Sequence, residues 1–150
     1  MKLREVMTPD PVCCRVTDTA ATVARLLRDN DVGALPVVAS DGSGRVEGII
    51  TDRDLCCTIV AQGLDPNTTV IGTFVSRRLV TCRPEQSLDS CEKLMQTHQI
   101  RRVLIVNQEN RCIGVISQAD LARTNRTENL HRTLAEISKP SQTIELPATA

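Results

Sequence analysis

The chain has 150 residues, 41% hydrophobic and 24% charged, with 18 basic residues against 18 acidic ones, enough length to build a core without disulfide or metal staples. Charge balance and a lone aromatic, Phe74, remove the basic field and the stacking platforms that nucleic-acid binders use. No run approaches about 18 apolar residues and no apolar signal core follows Met1 to Glu5, so the expectation is a cytoplasmic protein with an aliphatic core, no nucleic-acid partner and no membrane.

Leu3, Val6 and Met7 have helical spacing in a lead-in that Pro9 and Pro11 close. A short strand over residues 12–16 precedes a helix over about 19–30. Thr17 or Asp18 can cap it, and Ala20, Val23, Leu26 and Leu27 form one apolar stripe. Residues 32–38 are a continuous apolar run, 40–44 a Gly/Ser/Asp turn, and 46–51 a second strand, which together read as a hairpin. A helix from Asp52 to about Gln62 stops at Gly63. Residues 1–63 are thus a β-α-β-β-α unit with its lead-in, and 64–69 are a polar connector.

The unit then returns. Gly48-Ile49-Ile50-Thr51-Asp52-Arg53-Asp54-Leu55 comes back 66 positions on as Gly114-Val115-Ile116-Ser117-Gln118-Ala119-Asp120-Leu121. Self-similarity at this length means two copies of one supersecondary unit. In the second copy, over 70–124, the lead-in is 71–76, the short strand 79–82, and Ser87 caps a helix bearing Leu88, Cys91, Leu94 and Met95. The hairpin strands are 100–106 and 112–117. Leu130, Leu134 and Ile137 continue a stripe into a C-terminal helix that Pro140 ends, and 141–150 reads as a loose tail. That helix either covers its own unit or reaches a partner subunit.

Of seven cysteines none forms a C-x-x-C pair, which fits neither a zinc site nor a disulfide framework. Most therefore read as small core residues in a reducing compartment. The only histidines, His98 and His131, lack nucleophile or carboxylate companions, and no P-loop is present, so an enzyme is not expected.

Arg4-Glu5-Val6-Met7-Thr8, Asp31-Val32-Gly33-Ala34-Leu35-Pro36-Val37-Val38 and the Gly48 to Leu55 stretch, with their counterparts in the second half, resemble the tandem cystathionine-β-synthase (CBS) domain family over about residues 1–123. The resemblance implies an α/β fold in which two CBS repeats pack through their sheets with pseudo-two-fold symmetry as a stand-alone Bateman module. Such modules are often dimerised, which implies a homodimer acting on a protein partner that the sequence does not name. It implies clefts that bind AMP, ADP, ATP or S-adenosylmethionine as regulatory ligands, with no cofactor or metal required and no catalysis.

Asp54 and Asp120 each fall in the first turn of a helix, where a carboxylate can accept hydrogen bonds from the two hydroxyls of a ribose. Thr51 and Ser117 offer hydroxyls beside free helix N-terminal amides, a place for a phosphate. By resemblance, Arg101 and Arg102 reach the phosphates, and Ala34 and Pro36 belong to the adenine wall. Thr51-x-x-Asp54 and Ser117-x-x-Asp120 also have the spacing of capping boxes, which need no ligand. A ligand-free dimerisation protein is the alternative the sequence leaves open. Gly33-Ala34 stands where the second copy has Arg101-Arg102, so the two clefts differ and phosphate charge is balanced from the second half.

Overall fold

The structure, a computed structural model, describes residues 1–124 and 127–140. The expected tail at 141–150 lies outside the described residues. The strands are β1 (Thr8–Pro9), β2 (Cys14–Arg15), β3 (Ala34–Val38), β4 (Val46–Thr51), β5 (Thr81–Cys82), β6 (Arg102–Val106) and β7 (Cys112–Ser117). The helices are α1 (Ala20–Asp29), α2 (Asp52–Asp54), α3 (Leu88–His98), α4 (Gln118–Ala122) and α5 (Thr127–Ile137), and α2 runs on as a π-helical stretch over Leu55–Val60.

One sheet has the order β2-β3-β4, the other β1-β7-β6-β5. Within each copy a short strand lies parallel to the first hairpin strand, and the hairpin is antiparallel, with Ala34 opposite Thr51 and Arg102 opposite Ser117. The cap of α1 is Thr19, whose hydroxyl accepts from Thr22 N at 3.3 Å, and not Thr17 or Asp18. Asp18 instead closes a turn by accepting from Arg15 N at 2.8 Å. Ser87 caps α3 as its sequence position suggests.

Alternation along the strands builds three apolar layers. Leu35, Val37 and Ile50 join Val23 and Leu27 of α1 in a first core, and Val103, Ile105 and Ile116 join Leu88, Cys91 and Met95 of α3 in a second. Leu104 and Val106 point the other way along β6, yet each is only 1% exposed. Pro36, two places from Ala34 on the corresponding face of β3, is buried too. These side chains fill the seam where the two sheets face each other.

The lead-ins are exchanged. Leu3 belongs to the second core, and Ile71 and Val75 to the first. β1 pairs with β7, Thr8 opposite Val115, and Ser76 repeats this pairing with Ile49. Leu3 N donates to Gln86 O at 3.0 Å and Ile71 N to Asp18 O at 3.0 Å, the same bond in each direction. At the hairpin tips Arg45 pairs with Arg111, and Val46 N donates to Asn110 O at 3.0 Å.

After α4 the helix does not run on: α5 is a separate element that packs on α3 and α4 of its own half. Ile137 is 3% exposed, Leu130 and Leu134 lie against the second core, and Gln96 Nε2 donates to Thr133 Oγ1 at 2.7 Å. This C-terminal helix covers its own chain. Cys14, Cys82 and Cys91 are buried, but Cys56 and Cys57 are exposed and Cys13 and Cys112 half-buried, so the core accounts for fewer thiols than the sequence suggests.

Candidate functional site

Both strand-to-helix turns are formed by the repeated hydroxyl and carboxylate. Thr51 ends β4 in extended geometry; its Oγ1 accepts from Asp54 N at 3.1 Å, and Asp54 Oδ2 accepts from Thr51 N at 2.9 Å. Ser117 does the same at the end of β7, with Oγ accepting from Asp120 N at 3.4 Å and Asp120 Oδ2 accepting from Ser117 N at 2.8 Å and from its hydroxyl at 2.7 Å. Each motif is therefore a complete capping box.

The boxes differ in what is left over. Asp120 is 7% exposed, and its second oxygen receives Arg123 Nη1 at 2.9 Å. Asp54 is half-buried, and its Oδ1 takes no hydrogen bond from the described residues. One carboxylate is committed on both oxygens, while the other keeps an acceptor for a further donor.

The surroundings of Thr51 and Asp54 are assembled from both halves. Ala34 stands opposite Thr51, and Asp52 N donates to Gly33 O at 3.1 Å, fixing the start of β3 against the helix N-terminus. Arg102 starts β6 in the other half, and its side chain crosses the seam. Its Nη2 lies 2.9 Å from the point where a Cβ on Gly33 would stand, with Asp52 Oδ2 at 3.3 Å from the same point. Gly33 is thus the clearance that admits the guanidinium, and a positive charge comes to rest beside Ala34. Pro36 backs this wall from the seam. Arg101 remains exposed, and its carbonyl accepts from Gln118 N at 3.0 Å. Of the two arginines, only Arg102 enters the interface.

Sequence reading missed the role of the glycine that opens each repeated stretch. A Cβ on Gly48 would run into Val75 Cγ1 and come within 2.9 Å of Ser76 O; one on Gly114 would run into Met7 Sδ, with Met7 Cγ at 3.0 Å. Each glycine is the seat of the lead-in exchanged from the other half. Val75 therefore sits on β4 three residues before Thr51, and Met7 on β7 three residues before Ser117. The signal was a glycine at one place in both copies, but its cause lies in the opposite half. A separate polar hollow of about 350 Å³ between α3 and α5, lined by Asp89, Glu92, Lys93, Gln96, Asn129 and Arg132, lies among other residues.

No helix among the described residues is long and apolar enough to cross a membrane. Among the same residues no three His, Cys, Asp or Glu side chains gather to hold a metal ion.

Comparison with known proteins gives consistent results. The profile of the CBS domain family matches residues 3–60 and again residues 71–125. CBS domain-containing protein YhcV of Bacillus subtilis is 37% identical over 120 residues, covering 80% of this chain and 82% of that protein. Among solved structures, Hypoxic Response Protein I with two coordinated zinc ions is 31% identical, with a TM-score of 0.73 over 83% of this chain and 98% of that one. A CBS domain protein of Pyrobaculum aerophilum complexed with AMP is 27% identical, with a TM-score of 0.75 over 90% of this chain and 98% of that one. Two copies of the motif, facing each other through their sheets, place the chain in the CBS domain family.

Proposed function

We propose that the chain is a regulatory module that binds an adenosine nucleotide in the seam beside Thr51 and Asp54. The observation that carries this reading is the start of α2, where the half-buried Asp54 keeps a carboxylate oxygen that takes no hydrogen bond from the described residues and where Arg102 of the other half brings its guanidinium beside Gly33 and Asp52. In this reading Asp54 Oδ1 accepts from a ribose hydroxyl, the Thr51 hydroxyl donates to a phosphate, and Arg102 balances its charge, the amides of Asp52, Arg53 and Asp54 being already engaged within the turn. Ala34 and Pro36 supply an apolar wall that needs no aromatic ring. Ser117, Asp120 and Arg101 form the weaker counterpart, since Asp120 is already held by Arg123. The AMP complex of the Pyrobaculum aerophilum relative supports the ligand class.

The module acts by differential affinity. The nucleotide favours one arrangement of the two halves, or of a homodimer, and a protein partner reads that arrangement, because a ligand that bound both equally would shift nothing. Its role is regulatory and not catalytic.

Isothermal titration of the full chain with AMP, ADP, ATP and S-adenosylmethionine is the test. Binding of at least one, weakened about tenfold or more by Asp54→Asn and by Arg102→Ala, is the expected result, since about 1.4 kcal/mol of lost charge-assisted bonding corresponds to that factor. The completeness of both capping boxes without a ligand favours a second reading, a purely structural module. Absence of heat and of thermal stabilisation with all four ligands at millimolar concentration selects it.

A further inference from the structure

Two opposite charges stand beside Thr51 without meeting. Arg102 crosses from β6 and is half-buried, and among the described residues its guanidinium makes no hydrogen bond and no ion pair. Asp52, the first residue of α2, is exposed. Its Oδ1 accepts from Arg53 N at 2.8 Å, and its Oδ2 takes no hydrogen bond from the described residues. Both side chains border the clearance that Gly33 leaves, Arg102 Nη2 at 2.9 Å and Asp52 Oδ2 at 3.3 Å from the point where a Cβ would stand. At most the sum of those distances separates them, which is inside a Debye length of about 8 Å at physiological salt.

The other arginines of the flanking segments do not add to the charge at this point. Arg101 is exposed, and strand alternation turns it away from Arg102. Ser76 pairs antiparallel with Ile49, so Arg77 and Arg78, which follow it, run back along β4 away from Thr51. Arg53 lies between Asp52 and Asp54, whose two carboxylates outnumber it. With Arg102 included, the start of α2 is balanced and has no positive charge to spare.

We propose that, in the nucleotide site on which this inference rests, Asp52 limits the number of phosphates, so that the seam takes an adenosine monophosphate in preference to the diphosphate and triphosphate. Arg102 has no partner to give up, so the first phosphate gains a full charge-assisted contact. A second and a third phosphate bring their charge toward Asp52 Oδ2 with no matching gain. Asp52 is exposed, so water weakens the repulsion. A unit charge at about 7 Å in a dielectric near that of water changes affinity about threefold, and two added phosphates about tenfold.

Asparagine at position 52 isolates this effect, because it keeps an oxygen that can accept from Arg53 N and loses only the charge. The experiment is isothermal titration of the full chain with AMP, ADP and ATP in magnesium-free buffer at low salt, for the parent and for Asp52→Asn. The parent is expected to bind AMP about tenfold more tightly than ATP, with ADP between. Asp52→Asn should bring that ratio to about threefold or less by tightening ATP more than AMP, and added salt should narrow it in the parent. A purely structural role for Asp52 would move all three affinities together. ATP binding as tightly as AMP in the parent, or a ratio that Asp52→Asn leaves unchanged, overturns the proposal while the nucleotide site stands. Absence of binding by all three nucleotides removes the site itself, and the proposal with it.

Discussion

Replacing Gly48 by alanine tests whether the exchanged lead-ins hold the two halves together. The added methyl would collide with Val75 Cγ1 and lie 2.9 Å from Ser76 O. Val75 is 8% exposed within the first core, and its β-branched side chain has little rotational freedom. Ser76 is tied to β4 by two backbone bonds with Ile49, each 3.2 Å. Neither obstacle moves cheaply, so the lead-in must lift from the sheet at a cost of about 2–3 kcal/mol, the upper part of the range for overpacking. Gly114→Ala meets Met7 instead, with the nearest atom a side-chain sulfur. Methionine is unbranched and adapts to altered space, which holds that cost to about 1 kcal/mol. Urea unfolding followed by far-ultraviolet circular dichroism gives both values, and Gly48→Ala with Val75→Ala closes a double-mutant cycle whose coupling should recover part of the loss. Equal costs for the two glycines, or a Gly48→Ala change within about 0.5 kcal/mol of the parent, would refute the reasoning.

The two capping carboxylates should separate in the same assay. Asp120→Ala strands Ser117 N and the Ser117 hydroxyl at a nearly buried site, while Arg123, whose side chain is 76% exposed, turns to water, costing about 2 kcal/mol, and Asp54→Ala removes the bond to Thr51 N and costs about 1 kcal/mol; reversal of that order would contradict the geometry. Ile137→Ala removes a side chain 3% exposed against the second core and should cost about 2–4 kcal/mol. A change near zero on unfolding would mean α5 is not docked in solution.

The repeat made much of this architecture readable. Gly48 to Leu55 and its echo located both strand-to-helix turns, and apolar alternation around Leu35, Val37, Val103 and Ile105 placed the hairpins. What escaped was whatever depends on the partner half. The helical spacing of Leu3, Val6 and Met7 gave only one short turn at Leu3–Glu5 followed by a strand at Thr8–Pro9, because the second sheet offers hydrogen bonds that an isolated lead-in cannot predict. Arg101 and Arg102 were equivalent on paper. Strand alternation separates them, sending Arg102 toward Gly33 and leaving Arg101 in water. The stop of α1 was anticipated, yet its cap moved from Thr17 or Asp18 to Thr19, since Asp18 is taken by the turn at Arg15. The cysteine assignment went astray for a similar reason: Cys56 and Cys57 share a helix with buried Leu55 and Ile59 but lie on its outer face.

Exchange of the opening segments has a further meaning for how such a chain arose and how it assembles. A single copy of the motif would leave Gly48, or its counterpart, without a lid and could obtain one only from a twin, so its folding would depend on protein concentration. Joining the copies through residues 64–69 makes that encounter intramolecular and independent of dilution. The pair is, in physical terms, an obligate dimer written on one chain, and its halves differ in a complementary way, Gly33 in one making room for Arg102 of the other.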